Sequence, residues 1–532
     1  MFRVSMKRGV IITFILNVVL SLLPYVVQAQ RNNAAAVMQL QKLNSVYRYL
    51  HTSYVDSVAM ESIVESGIRA MLEELDPHSV YLDKKEMDSS RELTDGEFSG
   101  IGVEYNVLND TIIVVNAMLQ GPAEKVGVMP NDRIVEIDGE SVVGIARADV
   151  PPRLRGEAGS VVNIGVVRRG VDGMLRFSIK RDKIPITTVD AAFMAAPGVG
   201  YVKVNRFGRT TMQEFSSALK SLGNVEALIL DLDNNGGGLL DQAVDMAGYF
   251  LPKECAIVTT EGRAIEPRTY YARESNRFGG RLVVMINENS ASGSEIVAGA
   301  VQDWDRGVVV GQASFGKGLV QSQIPLADGS AIRLTVARYH TPSGRVIQRP
   351  YERGHKEEYY KAHLQRVDDM QKREDGAKEY LTLRLLRPVY ADGGIMPDVK
   401  VEVDTTLVSD YLVKVIAQGV YGDFLLDYLD RHRADLQIRY PAFEQFNEGF
   451  ELSDDELEQV VEMAQKRGVE RDDDGFKQSC NLMKIQISAL IAQRLYSASE
   501  YYRYINPRIN DSYKKSLELL KNWQSDDNWV IK

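Results

Sequence analysis

An apolar stretch from Leu282 to Asn287 runs into Ser290-Ala291-Ser292-Gly293-Ser294-Glu295 and then into Ile296, Val297, Ala300 and Val301 at helical spacing. A strand that turns into a helix in this way leaves small residues and hydroxyls at the helix N-terminus, where free backbone amides and the helix dipole favour negative charge. Such a spot suits an oxyanion. A lone serine here would ordinarily be a helix cap, but three serines within five positions cannot all cap one helix. A serine nucleophile also needs a base. His340 is the nearest histidine downstream, in Arg338-Tyr339-His340-Thr341-Pro342, where strand and turn signals predict a surface or packing role. The other available base is a lysine made neutral by burial. Lys317 stands in Ser314-Phe315-Gly316-Lys317-Gly318, just after an apolar strand, between glycines that permit close approach. Gly-Lys-Gly could also hold a phosphate, but such a loop is longer and ends in Gly-Lys-Ser/Thr at a helix start, and Gly318-Leu319-Val320-Gln321 has neither feature.

These residues sit in a region, about 184–404, where strand and helix patterns alternate as in a layered α/β domain. Strands are expected at Val199 to Val204, Ala227 to Leu232, Leu282 to Asn287, Val308 to Gly311 and Ala331 to Ala337, with helices at Thr211 to Leu222, Leu239 to Leu251 and Ser294 to Asp303. Within it, 353–379 is charge-rich and reads as an exposed helical insertion. Residues 30–95 form a helical lead-in, with Leu40, Leu43, Tyr47 and Leu50 on one face, ended by the proline of Leu75-Asp76-Pro77-His78-Ser79. His78 reads as a turn or packing residue. The last part, 405–532, is helical again, with a capping box at Ser453-Asp454-Asp455-Glu456, and looks like a bundle for packing or dimerisation.

Between them, 96–183 consists of short apolar strands separated by glycines. Gly121-Pro122-Ala123 opens a short helix, and Pro130 to Gly139 follows as turn, strand and turn. This module resembles a PDZ domain. The resemblance implies that Gly100, Ile101, Gly102 and Val103 form the loop whose amides take a peptide C-terminal carboxylate, the peptide adding a strand to the sheet edge. Pro151 and Pro152 fall where the groove-lining helix is expected, which predicts a shortened or reshaped groove. Arg155 is a candidate for relaying peptide occupancy.

Several function classes are excluded by composition. The 532 residues, 44% hydrophobic and 26% charged, make an ordinary globular mixture. Two cysteines and six scattered histidines without an H-E-x-x-H pair argue against a disulfide scaffold or a zinc hydrolase, so no metal and no cofactor is expected. Cys255 and Cys480 could pair in an exported protein. A net charge of -10 without a long basic run argues against a nucleic-acid partner. Residues 1–29 read as a secretory signal: Arg3, Lys7 and Arg8, then the apolar Val10 to Leu23, then Val27-Gln28-Ala29 at the cleavage site. The expectation is an exported protein, periplasmic or in the cell envelope and soluble after cleavage; an uncleaved anchor is the alternative.

Taken together, Asp76-Pro77-His78-Ser79, Phe98-Ser99-Gly100-Ile101-Gly102, the Pro122 to Gly139 stretch, Leu228 to Leu232, Ser290-Ala291-Ser292, Phe315 to Gln321 and Tyr339 to Arg345 resemble the carboxyl-terminal processing peptidases, or tail-specific proteases. The resemblance implies a multidomain α/β protein: a peptidase core with an inserted PDZ-like module and helical N- and C-terminal regions. It implies Ser292 as nucleophile, Lys317 as general base and Gln321 orienting the lysine. The oxyanion would be held by the amide of Gly293 and by one from Gly236-Gly237-Gly238, that of Gly237. Two departures from the family pattern flank the site. Asp233-Asn234-Asn235-Gly236-Gly237-Gly238 replaces a loop that usually begins with arginine and carries a proline, and Gly293 replaces an alanine. Three glycines predict a loop that orders on substrate binding. Expected partners are proteins or peptides with accessible C-termini; the family implies a homodimer through the terminal helical regions, and an adaptor protein is a candidate. A PDZ scaffold or chaperone with an inactive peptidase domain is the competing function.

Overall fold

The computed structural model describes residues 34–108, 110–118, 120–273, 278–369, 378–391 and 393–523. The signal-like residues 1–29 and part of the charged insertion, 370–377, lie outside the described residues. The chain divides into two units, 1–72 and 73–532. Within the first, residues 34–53 are one helix and Met60–Glu73 opens a second. Leu40, Leu43 and Tyr47 share a face of the first helix, as their spacing requires, and that face is exposed.

In the second unit the peptidase region is built on a six-stranded sheet in the order Val189–Ala196, Val199–Val204, Ala227–Asp231, Arg281–Ile286, Val308–Gly311, Val399–Lys400. Only the first pair is antiparallel. Every residue of Val199–Val204, Ala227–Asp231 and Val308–Gly311 is buried, as expected of parallel strands covered on both faces, and the two charged residues among them, Lys203 and Asp231, pair at 2.9 Å. Helices Thr211–Ser221, Leu240–Phe250 and Gly293–Asp303 cover one face through Phe215, Phe250 and Val297. The other face is covered by the last two helices, Ala498–Ile509 and Asp511–Lys521, whose Tyr513 and Leu520 pack with Tyr201, Ile229 and Val283. Part of the C-terminal region is thus the second cover of the six-stranded sheet.

Ala331–His340 does not join this sheet. It is the centre of a separate antiparallel sheet with Val80–Leu82, Ala256–Gly262, Ile265–Tyr271 and Leu319–Pro325. The serine-rich turn therefore follows a strand of the first sheet, and the Lys317 loop leads from that sheet into the second.

The β-rich module is a six-stranded sheet around Ile112, Val114, Ile134, Ile164 and Ile179, with Val103–Leu108 at an edge. Val150–Leu154 forms its groove helix despite the two prolines, because they fall in the first turn, where backbone N–H groups have no helical partner. At five residues it is short. Arg155 pairs with Glu92 at 2.6 Å and lies 4.7 Å over the Phe98 ring. The C-terminal helices reach this module through Arg494 with Glu104 (2.7 Å) and Asp430 with Arg169 (2.9 Å). The expected capping box is present, with Glu456 N donating to Ser453 Oγ and Ser453 N to Glu456 Oε2. Cys255 and Cys480, whose pairing the sequence left open, are both free thiols.

Candidate active site

Ser292 is the last residue of the turn between strand Arg281–Ile286 and helix Gly293–Asp303, with φ 55° and ψ −109°. A non-glycine residue in such a conformation is strained by about 1–3 kcal/mol and persists only where its surroundings hold it. The three serines have separate tasks. Ser290 and Ser294 are fully buried, their hydroxyls donating to Leu232 O and Asn235 O at 2.8 Å. Both tie the elbow to the 232–238 loop. Ser292 alone is partly exposed.

Lys317 lies in the loop two residues before strand Leu319–Pro325 of the other sheet. Its Nζ donates to Gln321 Oε1 at 3.0 Å, and Gln321 Nε2 donates to the carbonyl of His78. Burial, with a smaller contribution from Arg333, holds the Lys317 ammonium below its ordinary pKa, against the opposing pull of Glu295 and Asp76. His78 is buried, and its pKa is pushed down to about 4, by burial first and by the Lys317 charge next. It is a neutral packing residue, as its place in the turn suggested. Asp76 closes that turn by accepting from His78 N, Ser79 N and Ser79 Oγ. The imidazole of His340 faces Glu261 Oε1 at 3.0 Å.

Two residues that sequence reasoning did not single out join the halves. Glu295, fully buried, accepts from Ser292 N (2.7 Å), Lys317 N (2.9 Å), Gly316 N (2.7 Å) and Ser314 Oγ (2.5 Å). Ser314 Oγ itself accepts from Ile395 N, so its proton points to Glu295. All four partners are donors, which requires the ionised carboxylate although burial pushes its pKa up. The signal was present as Ser292-x-x-Glu295, a capping-box spacing. Tyr339, also buried, donates to Ser292 O at 3.1 Å and Lys317 O at 2.8 Å.

Of the two expected oxyanion donors, Gly293 N is the first amide of the elbow helix. A Cβ on Gly293 would lie 2.9 Å from the Phe207 ring, which accounts for glycine where the family pattern has alanine. Gly237 lies against the nucleophile, but its N–H is donated to Asn235 Oδ1 at 2.9 Å, a bond that must open before this amide can serve an oxyanion. The loop is not left to order on substrate binding. Asn235 Nδ2 donates to Val204 O at 2.9 Å, Asn235 O accepts from Ala291 N at 3.0 Å, and Gly237 O accepts from Phe207 N at 3.0 Å. Sequence reasoning counted the glycines and missed the asparagine that holds them. Gly237 has φ 95°, and a Cβ there would lie 2.7 Å from Ser292 Cβ and 2.8 Å from Gly293 N. Gly237→Ala is expected to push the nucleophile aside and cut kcat on peptide substrates about a hundredfold or more, since ~1 Å of misplacement costs about that much. Wild-type kinetics from a folded variant would contradict this placement.

In the PDZ-like module Gly100 ends strand Glu97–Gly100 and Val103 begins the edge strand. Between them the carbonyls of Ile101 and Gly102 accept from Ala123 N and Met118 N at 2.9 Å. The four residues predicted for the carboxylate loop therefore lie together at the sheet edge.

Comparison with known families agrees with this architecture. Residues 198–354 match Peptidase family S41 and 99–180 match the PDZ domain. Residues 23–86 match the N-terminal domain of the activating protease CtpB, and 411–497 a family of unknown function. Together the first two define a serine-type peptidase carrying a PDZ domain. The chain is 36% identical over 332 residues to the carboxy-terminal-processing protease of Bartonella bacilliformis, spanning 60% of this chain and 74% of that protein. It is 35% identical to the carboxy-terminal processing protease CtpB of Bacillus subtilis, over 58% and 66% of the two chains. A solved structure of a photosystem II D1 C-terminal processing protease is 28% identical over 69% of this chain and 87% of its own, with a TM-score of 0.35. The chain belongs to the carboxy-terminal processing protease family.

Proposed function

We propose that this protein is an exported serine endopeptidase that takes C-terminal tails or unfolded segments through its PDZ domain and cleaves them with a Ser292–Lys317 dyad. The observation that carries this reading is the convergence of the two residues' backbones on one carboxylate, Glu295, and one hydroxyl, Tyr339. A lysine that donates one N–H to Gln321 and whose ammonium is disfavoured by burial gives up its proton more readily, and its lone pair is then available for the serine proton. Ser292 Oγ attacks the scissile carbonyl as its proton passes to Lys317 Nζ. The oxyanion then lies at the helix N-terminus, against Gly293 N–H. The lysine returns its proton to the leaving amine, and water activated by the same amine releases the acyl group. Gln321 orients the base without adding a negative charge that would keep it protonated.

Because the base works deprotonated, activity on an unfolded protein such as casein is expected to rise with pH, with a midpoint below the ordinary lysine value of ~10.4. His78, with its pKa near 4, stays neutral throughout and contributes no limb of its own. A profile flat from about pH 6 to 9, with chemistry rate-limiting, would contradict Lys317 as the base. Binding of C-terminal peptides without any cleavage would favour a scaffold.

A further inference from the structure

We propose that Tyr359, in the insertion helix Lys356–Asp369, is a positioning residue for the general base, and that this helix is a strap across the lysine half of the site. The inference rests on the Ser–Lys reading above. The helix begins just past the segment that matches the peptidase family, which ends at 354, and the charge-rich sequence predicts an exposed insertion. One of its faces is nevertheless buried: Tyr359 and His363 are 4% and 8% exposed.

Three supports of Lys317 converge on Tyr359. The first runs through the orienting glutamine: Gln321 donates to the carbonyl of His78, whose ring meets Tyr359 edge-on at 5.4 Å with Nε2 3.3 Å from the Tyr359 hydroxyl. The second and third hold the two glycines that flank the lysine. Gln348 Oε1 accepts from Gly318 N at 2.9 Å, and Gln348 Nε2 donates to the Tyr359 hydroxyl at 3.5 Å. Arg349 N donates to Gly316 O at 2.9 Å, its guanidinium donates to Tyr359 O at 3.2 Å, and it lies 4.0 Å over the Tyr359 ring and 4.7 Å over Phe315. Tyr359 thus backs the lysine's loop through Arg349 before it and Gln348 after it, and the lysine side chain through His78 and Gln321. Glycines on both sides give that loop no stiffness of its own, so its shape has to be imposed from outside. The same apolar ring keeps water from the back of the site, which favours the neutral amine.

The test is a pH–rate profile of the full chain on a peptide substrate. The groups acting on Lys317 are Arg333, Glu295, Asp76 and His78, with Arg349 behind the ring, and none is altered. Tyr359→Ala is expected to lower kcat at pH 7 about ten- to a hundredfold with KM within about threefold, and to move the rising limb up by about one pH unit, so that activity recovers toward wild type in alkali. Tyr359→Phe keeps the ring and is expected to lose less than about fivefold. A limb that stays in place in Tyr359→Ala overturns the proposal. Should that variant not fold, Tyr359→Leu replaces it and must move the limb. If both fail to fold, Tyr359 is a stability residue and the proposal also falls. Lys317→Ala separates the two levels: activity retained there sinks the dyad itself, whereas an inactive Lys317→Ala beside an unmoved Tyr359→Ala limb sinks the strap alone.

Discussion

Ser292→Ala and Lys317→Ala are each expected to lower kcat on casein or a peptide by about ten-thousand-fold or more, and the double variant is expected to be no slower than either single one. Members of a nucleophile–base pair act as a unit, so removing the second after the first costs little. Neither substitution should disturb the fold. The Ser292 contacts that hold the elbow are made by its backbone N and O, to Glu295 and Tyr339. Lys317 likewise contributes its N and O to the same two residues. None of these four contacts uses the Ser292 or Lys317 side chain. The measurement is steady-state hydrolysis beside a thermal melt of each variant. Cleavage at the wild-type rate by either one, or losses that multiply in the double variant, would refute the dyad.

Glu295 behaves in the opposite way, because here the side chain is the scaffold. Glu295→Ala leaves three backbone N–H groups and the Ser314 hydroxyl without their acceptor inside a buried space. At ~1–3 kcal/mol for each unsatisfied buried donor, a destabilisation of at least about 3 kcal/mol is expected, read as an earlier onset of thermal unfolding. Glu295→Gln is the more informative variant. Its carbonyl oxygen can keep Ser292 N and Lys317 N, which share Oε2, only by turning its NH2 onto Gly316 N and the Ser314 hydroxyl, so one pair of donors loses its acceptor in either orientation. A fall in kcat of about a hundredfold is expected from the misplacement. The charge effect has its own sign. The carboxylate favours the Lys317 ammonium, so neutralising it lowers the lysine pKa and moves the rising limb of the pH profile to lower pH. Slower turnover with a limb moved to acid is the expected signature; a limb that stays in place would show that the Glu295 charge does not bear on the base.

Much of the site was legible because its residues stand in contiguous, unusual strings. Three serines around a glycine at a strand–helix junction, and a lysine between glycines, admit few structural excuses. What could not be read were residues of ordinary type whose importance comes from where distant segments meet. Glu295 stands at a capping-box position that countless helices share, and only the fold brings Gly316 and Lys317 to its carboxylate. Asn235 looks like any loop asparagine until Val204, Ala291 and Ser294 gather around it. Tyr359 was hidden by its neighbours: Lys356, Glu357, Glu358 and Lys361 dominate the local pattern and mask a buried face. The strand Ala331–His340 was found, but its sheet was not, because alternation of strands and helices says nothing about which strands pair.

The division of the catalytic pair between two sheets has a mechanical consequence. The two sheets meet in one apolar core, where Ile257, Val258 and Tyr339 pack with Val202, Leu228 and Val284, so the distance between serine and lysine is governed by how the layers are seated on one another. A slip of ~1 Å would separate the reacting groups enough to cost about a hundredfold in rate while leaving every strand pairing intact. Activity therefore works as a vernier on the alignment of the two layers. It should register small displacements to which circular dichroism and the melting temperature are blind.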